Sequence, residues 1–100
     1  MSAQMSAQPA AAAAQPDADT VHALFFVTAD SHPGLLPRLV EPFSKLGLTP
    51  HRVHASREDG DGQEISADLR VAGISRRTAH LLEKALRSVI GVRSVIALVE

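Results

Sequence analysis

The placement of the large apolar residues decides most of what this chain can become. All 27 Val, Ile, Leu and Phe residues of the 100-residue sequence lie beyond Thr20. Residues 1–20 hold eight Ala, three Gln, two Met and two Pro, with no Lys or Arg. Such a segment cannot bury enough apolar surface to offset its conformational entropy, so a disordered tail is expected there. The alanine run at 10–14 is too short to nucleate a stable helix. The fold must therefore come from residues 21–100, one small domain. A domain of that size buries only about 60% of its unfolded surface and gains from any partner that covers more.

Other absences narrow the function. There is no Cys, hence no disulfide, thiolate nucleophile or cysteine-based metal site. A net charge of −1 and three aromatic residues do not make a nucleic-acid surface, which needs basic patches and stacking platforms. The apolar runs are far short of a membrane span. The first basic residue is Arg38, so the basic starts of secretory and mitochondrial leaders are missing and the cytoplasm is the expected location.

Residues 21–28 (VHALFFVT) are β-branched, aromatic and apolar on both parities, as in a strand buried on both faces. Asp30, Ser31, His32, Pro33 and Gly34 break it with turn chemistry. Leu35, Leu36, Leu39, Val40, Phe43 and Leu46 follow at helical spacing, ending at Gly47. Pro42 removes a bond to the Arg38 carbonyl and predicts a kink or late breakdown. Residues 48–57 read as an edge strand because Pro50 cannot donate to a ladder. A hairpin turn spans 58–62, and residues 64–71 then alternate cleanly. Ser75 is placed to cap a second helix with Ala79, Leu82, Leu86 and Val89 as its buried stripe and Gly91 as its stop. Residues 92–99 form a fourth strand, apolar on both parities.

The order βαββαβ predicts an α+β, ferredoxin-like sandwich. With right-handed crossovers, the antiparallel sheet takes the order 4-1-3-2 and both helices cover one face. On the open face the third strand is polar, but the first and fourth are not. Leu24 and Phe26, with one parity of the last strand (Val95 and Ala97, or Ile96 and Leu98), leave an exposed apolar patch there. Monomers rarely carry such a patch unused, so a homodimer or a larger partner is expected. Val95 and Ala97 are taken as its fourth-strand members, with Leu48 and Pro50 joining from the start of the second strand.

Candidate chemistry is sparse. Asp30, Ser31 and His32 are adjacent, but neighbours on an extended loop point apart and do not form a triad. His51 and His54 fall three apart on a strand, on opposite faces, which disfavours a metal pair. His54 should lie across the hairpin from Asp68 or Ser66. His22 and His80 have no evident partner. An acylphosphatase of this fold needs an Asn, and the chain has none. An RNA-recognition domain needs aromatics on the third strand, which has none. A regulatory or interaction module remains, with no catalytic residues, metal or cofactor of its own. Pro33-Gly34 opens a helix whose first-turn N–H groups, at Gly34, Leu35 and Leu36, could receive a carboxylate. The dipeptide taken alone is equally a tight helix entry, which is the simpler reading.

The run Asp30-Ser31-His32-Pro33-Gly34-Leu35-Leu36, with Leu39, Phe43-Ser44 and Leu46-Gly47, resembles the opening of an ACT domain. The closing stretch from Leu81-Leu82 through Leu86, Val89-Ile90 and 92–95 is similar to the end of acetolactate synthase small regulatory subunits, most of all the short type II form. The resemblance implies a paired regulatory subunit that binds the acetolactate synthase catalytic subunit in branched-chain amino-acid synthesis. It implies a small amino acid such as valine at Asp30 to Leu36 and at Thr49, where those subunits commonly carry Asn. Thiamine diphosphate, flavin and magnesium would belong to the catalytic partner. A stand-alone ACT amino-acid sensor for another enzyme is the alternative, and a small hydrolase of the same fold a weaker one.

Overall fold

The structure, a computed structural model, describes residues 19–58 and 62–100. The expected tail, apart from Asp19 and Thr20, and residues 59–61 of the expected hairpin turn lie outside the described residues. The elements are β1 (Thr20–Asp30), α1 (Leu35–Lys45), β2 (Arg52–Glu58), β3 (Glu64–Ser75), α2 (Arg76–Arg87) and β4 (Val92–Val99). They form a four-stranded sheet of order β2-β3-β1-β4 with antiparallel neighbours, the ferredoxin-like order expected.

One face of the sheet and the two helices make the core. Along β1 burial alternates strictly, with Val21, Ala23, Phe25, Val27 and Ala29 inward. Leu35, Leu39 and Phe43 of α1, four residues apart, meet that face. Ala79, Leu82 and Leu86 of α2 do the same. The Phe25 and Phe43 rings meet edge to face with centroids 6.4 Å apart, a favoured aromatic geometry.

Local sequence explains the boundaries, with four corrections. α1 runs through Pro42 and ends late, at Lys45, as expected, because only its last turn lies beyond the missing donor. β2 starts at Arg52 rather than 48, since Pro50 has no N–H and the first ladder-side bond is His51 N–H to the Arg70 carbonyl at 2.9 Å. β3 runs on to Ser75, past the expected 71. Gly73, at φ +72°, is the extra residue of a bulge between the Val21–Ile74 and His22–Ala72 pairs, so the ladder bends and resumes. α2 ends at Arg87, and Gly91 instead turns the chain into β4 with φ +97°.

The Ser75 cap is present: Thr78 N–H donates to Ser75 Oγ at 3.0 Å. Ser75→Ala should cost about 1 kcal/mol of stability, the usual worth of an N-cap hydroxyl. Urea denaturation followed by circular dichroism reads this directly; an unchanged midpoint would contradict it.

The parity of β4 is the fourth correction. Val95 is buried against the helices and Ala97 is half-buried on the same side. Neither can belong to the open-face patch. Ile96 and Leu98 take that place, 60% and 48% exposed. They lie beside Phe26 and Leu24 in the β1–β4 register. Leu48 packs against the core rather than outward, its N–H bonded to the Phe43 carbonyl at 2.8 Å. Pro50 is half-buried.

Candidate functional site

The loop between β1 and α1 is held on three sides. Asp30 N–H donates to the Gly91 carbonyl at 2.8 Å, tying the end of β1 to the start of β4. Ser31 N–H donates to the Gln63 carbonyl at 2.9 Å, tying the loop to the approach to β3. His32 Nε2 donates to the Ile90 carbonyl at 3.3 Å. Arg93 Nε adds a 2.6 Å bond to Asp30 Oδ1, and its Nη1 lies 3.7 Å from Glu64. These last side chains are largely exposed, so the ion pairs orient more than they stabilise.

The helix start is narrower than its sequence suggests. Leu35 N–H donates to the His32 carbonyl at 3.1 Å and Pro37 has no N–H. The outward donors expected at Gly34, Leu35 and Leu36 are thereby reduced to Gly34 and Leu36. Among the described residues no side chain caps α1. Arg38 Nη1 reaches back to the Gly34 carbonyl at 3.0 Å, so a guanidinium lies against the loop backbone. A Cβ at Gly34 would collide with that Nη1, although the long arginine can swing aside. Pro33 is exposed at the tip.

Leu36 points outward, 43% exposed, over a depression of about 130 Å³ lined also by Ala55, Ser56, Arg57 and Ile65. The wall is apolar at Leu36, Ala55 and Ile65. Arg57, bonded through Nη2 to the Gly62 carbonyl at 3.3 Å, supplies positive charge at its rim. The depression has room for a small aliphatic side chain, and the Arg57 guanidinium offers a carboxylate a positive charge at its rim.

Thr49 is not part of this arrangement within one chain. It follows the C-terminal end of α1, and the 11 residues of that helix span about 16 Å. β2 runs back from that far end, where Arg52 pairs with Arg70. The sequence pattern placed Thr49 by analogy; chain direction puts it at the opposite end of the sheet.

The open face carries features the sequence showed only in part. His54 does lie opposite Asp68 in the β2–β3 register, but the Asp68 carboxylate is taken by arginines. Arg70 Nε and Nη2 bind it at 2.9 Å each, and Arg52 Nε reaches it at 3.4 Å. The bidentate Arg70 hydrogen bonds hold the Asp68 carboxyl below the usual value, with Arg52 adding to this and burial opposing it. His51, placed just before β2, sets its ring edge-on to His22 with centroids 4.8 Å apart. No spacing rule pairs these two, because the contact depends on how β2 enters the sheet. Among the described residues no group of three or more His, Cys, Asp or Glu could hold a metal ion, and no helix is long and apolar enough to cross a membrane.

The Asp68 arrangement predicts an acid-sensitive fold. The folded chain releases this proton more readily than the unfolded one. The resulting stability is present above the ordinary carboxyl value of 3.8 and is lost as pH falls through the lower folded value. Asp68→Asn should flatten the acid limb of a Tm-against-pH curve measured from pH 2 to 7. An acid limb identical to wild type would remove Asp68 as its source.

The comparisons with known proteins agree with the fold. The ACT domain from the GTP pyrophosphokinase of Chlorobium tepidum superposes with a TM-score of 0.67 at 18% identity, covering 79% of this chain and 99% of that one. The C-terminal domain of the MgtC protein from Mycobacterium tuberculosis gives 0.64 at 12% identity, covering 86% and 94%. An uncharacterized protein from Thermotoga maritima gives 0.61 at 12% identity, covering 78% and 94%. At these identities the likeness shows the fold alone. Among curated protein sequences nothing matches the chain. The family model of the ACT-like domain matches residues 15–98, nearly the whole folded part. ACT domains are in general regulatory, ligand-binding domains without catalysis of their own, and this chain belongs to the ACT-like domain family.

Proposed function

We propose that the chain is a regulatory subunit that docks on a separate catalytic chain and carries a small amino acid at the β1–α1 loop. The observation that supports it best is the anchoring of that loop. Two backbone ties and the His32 ring fix its position, while Leu36 stays open over an apolar depression with the Arg57 guanidinium at its edge. A preorganised loop of this kind loses little entropy on binding. Its chemistry suits the carboxylate and aliphatic side chain of a valine-like ligand. The resemblance of the loop and of the closing stretch to acetolactate synthase small subunits supports the catalytic chain of that enzyme, in the branched-chain pathway, as the partner. Binding acts by population shift: the subunit favours one state of the catalytic chain, and the amino acid changes that preference.

Mixing the purified chain with an acetolactate synthase catalytic subunit should give a co-eluting complex and a changed turnover. Neither binding nor a rate change would refute the partner. Calorimetry with valine, leucine and isoleucine addresses the ligand separately. Heat of binding that is lost in Arg57→Ala supports the loop site; flat titrations with all three remove the amino acid from it.

A further inference from the structure

At the end of the sheet away from the β1–α1 loop, two histidine rings meet without an evident task. His22 lies near the start of β1, between the inward-facing Val21 and Ala23, so its side chain is on the open face. Its Nε2 is buried and has no hydrogen-bond partner. Among the described residues it is the one side-chain polar atom in that condition. A buried polar atom left unpaired costs about 1–3 kcal/mol, so this one requires an explanation.

The ring of His51 stands against it. His51 enters β2, and β3 lies between β2 and β1, yet the two ring centres are only 4.8 Å apart. Opposite His22 on β3 is Ala72, whose methyl group leaves the rings room to meet. His51 is exposed, so its ring turns without disturbing the core. A contact of rings alone leaves the His22 Nε2 unsatisfied.

We propose that His22 and His51 together hold one divalent transition-metal ion of the zinc and nickel class. A zinc ion lies about 2.0–2.1 Å from an imidazole nitrogen, which puts the ring centre about 3.2 Å from the ion. Two ring centres 4.8 Å apart then subtend about 97° at a shared ion, between the octahedral and tetrahedral ligand angles. The ring planes are inclined by 77°, so the rings turn toward one point without stacking face to face. The lone pair of a neutral imidazole is a ligand for such ions, and an ion at Nε2 satisfies the orphaned atom of His22.

The site is a pair and stays open. Glu100 exchanges two backbone bonds with His22, at 2.8 and 2.9 Å, so its side chain shares the open face. It does not close a group of three ligands among the described residues, and water completes the shell. Binding is accordingly modest. The ion ties the entry of β2 to β1 across β3 and thereby fastens the stretch that carries Thr49. None of this depends on which amino acid or enzyme the β1–α1 loop serves.

Calorimetric titration of the untagged full chain with zinc chloride, and separately with nickel chloride, tests the site. Each metal should bind at one ion per chain. His51→Ala should weaken binding about tenfold or more, and His22→Ala at least as much. His54→Ala and His80→Ala should leave it unchanged. Zinc should raise the Tm of the wild-type chain but not that of His51→Ala. In proton spectra, paramagnetic nickel should broaden the ring signals of His22 and His51 before those of His32, His54 and His80. Flat titrations with both metals reduce the contact to ring packing and overturn the proposal. So does wild-type affinity in His51→Ala, or broadening that reaches the other histidines first. Where His22→Ala does not fold, the exposed His51→Ala and the nickel spectra of the wild-type chain decide alone.

Discussion

Phe25→Ala is expected to unfold the domain or bring it close to unfolding. The ring is fully buried at the centre of β1, between Leu69 of β3 and Ala97 of β4 in the sheet register. It meets Phe43 edge to face beneath α1. Truncating a buried Phe to Ala costs about 3–5 kcal/mol, part transfer and part residual cavity. A domain of this size has about 4–12 kcal/mol in all, at about 0.05–0.15 kcal/mol per residue. The sheet side of the cavity is fixed by ladder bonds on both edges of β1, so collapse is limited. A Tm drop of at least about 15 °C follows from the size scaling. A drop below about 5 °C would mean that Phe25 is not the centre of the core. The next residue gives the control: Phe26 faces the open side, so Phe26→Ala should change the stability of the separate chain by less than about 1 kcal/mol.

Gly91→Val should be the second largest change and should reach the candidate site. Gly91 has φ +97°, where a β-branched residue is strained by about 1–2 kcal/mol. A Cβ there would lie 3.1 Å from His32 Nε2 and 3.8 Å from the Asp30 carbonyl oxygen. The His32 ring must then give way by a few tenths of an ångström, which strains its bond to the Ile90 carbonyl, and the total cost rises to about 2–3 kcal/mol. Urea denaturation measures the cost. Amide shifts of Ser31, His32 and Leu35 show whether the loop has moved. A stability loss without such shifts would separate Gly91 from the loop, contrary to the contacts.

The sheet order was legible because the pattern of apolar blocks and the handedness of crossovers leave few alternatives. Ser75 was legible as a cap because its hydroxyl acts on a backbone three residues away. The parity of β4 was not. Val95, Ile96, Ala97 and Leu98 are apolar throughout, so alternation carries no signal, and only the register with β1 decides which side faces the helices. The extension of β3 to Ser75 was hidden by Gly73, which reads as a breaker but serves as a bulge. At the candidate site, the β1–α1 loop could be found from its turn residues and its resemblance. Its anchors could not, since Gly91, Gln63 and Arg93 are distant in sequence. The distance of Thr49 from the loop within one chain was hidden too, because nearness in a motif is not nearness across an 11-residue helix.

Among the described residues β4 is an edge strand, and its outer ladder groups have no neighbouring strand. Residues 94–99, Ser-Val-Ile-Ala-Leu-Val, carry no charge, no Pro and no Gly. Such a stretch is the composition of a fibril-forming segment once it leaves the sheet. Arg93 before it and Glu100 after it act as gatekeepers. Arg93 is moored to Asp30, and the Glu100 backbone exchanges two bonds with His22 at 2.8 and 2.9 Å. The Arg93–Asp30 contact that helps fix the loop is therefore also one of the two fastenings that keep the most aggregation-prone part of the chain folded down, so ligand-site integrity and protection from fibril formation depend on the same pair of side chains.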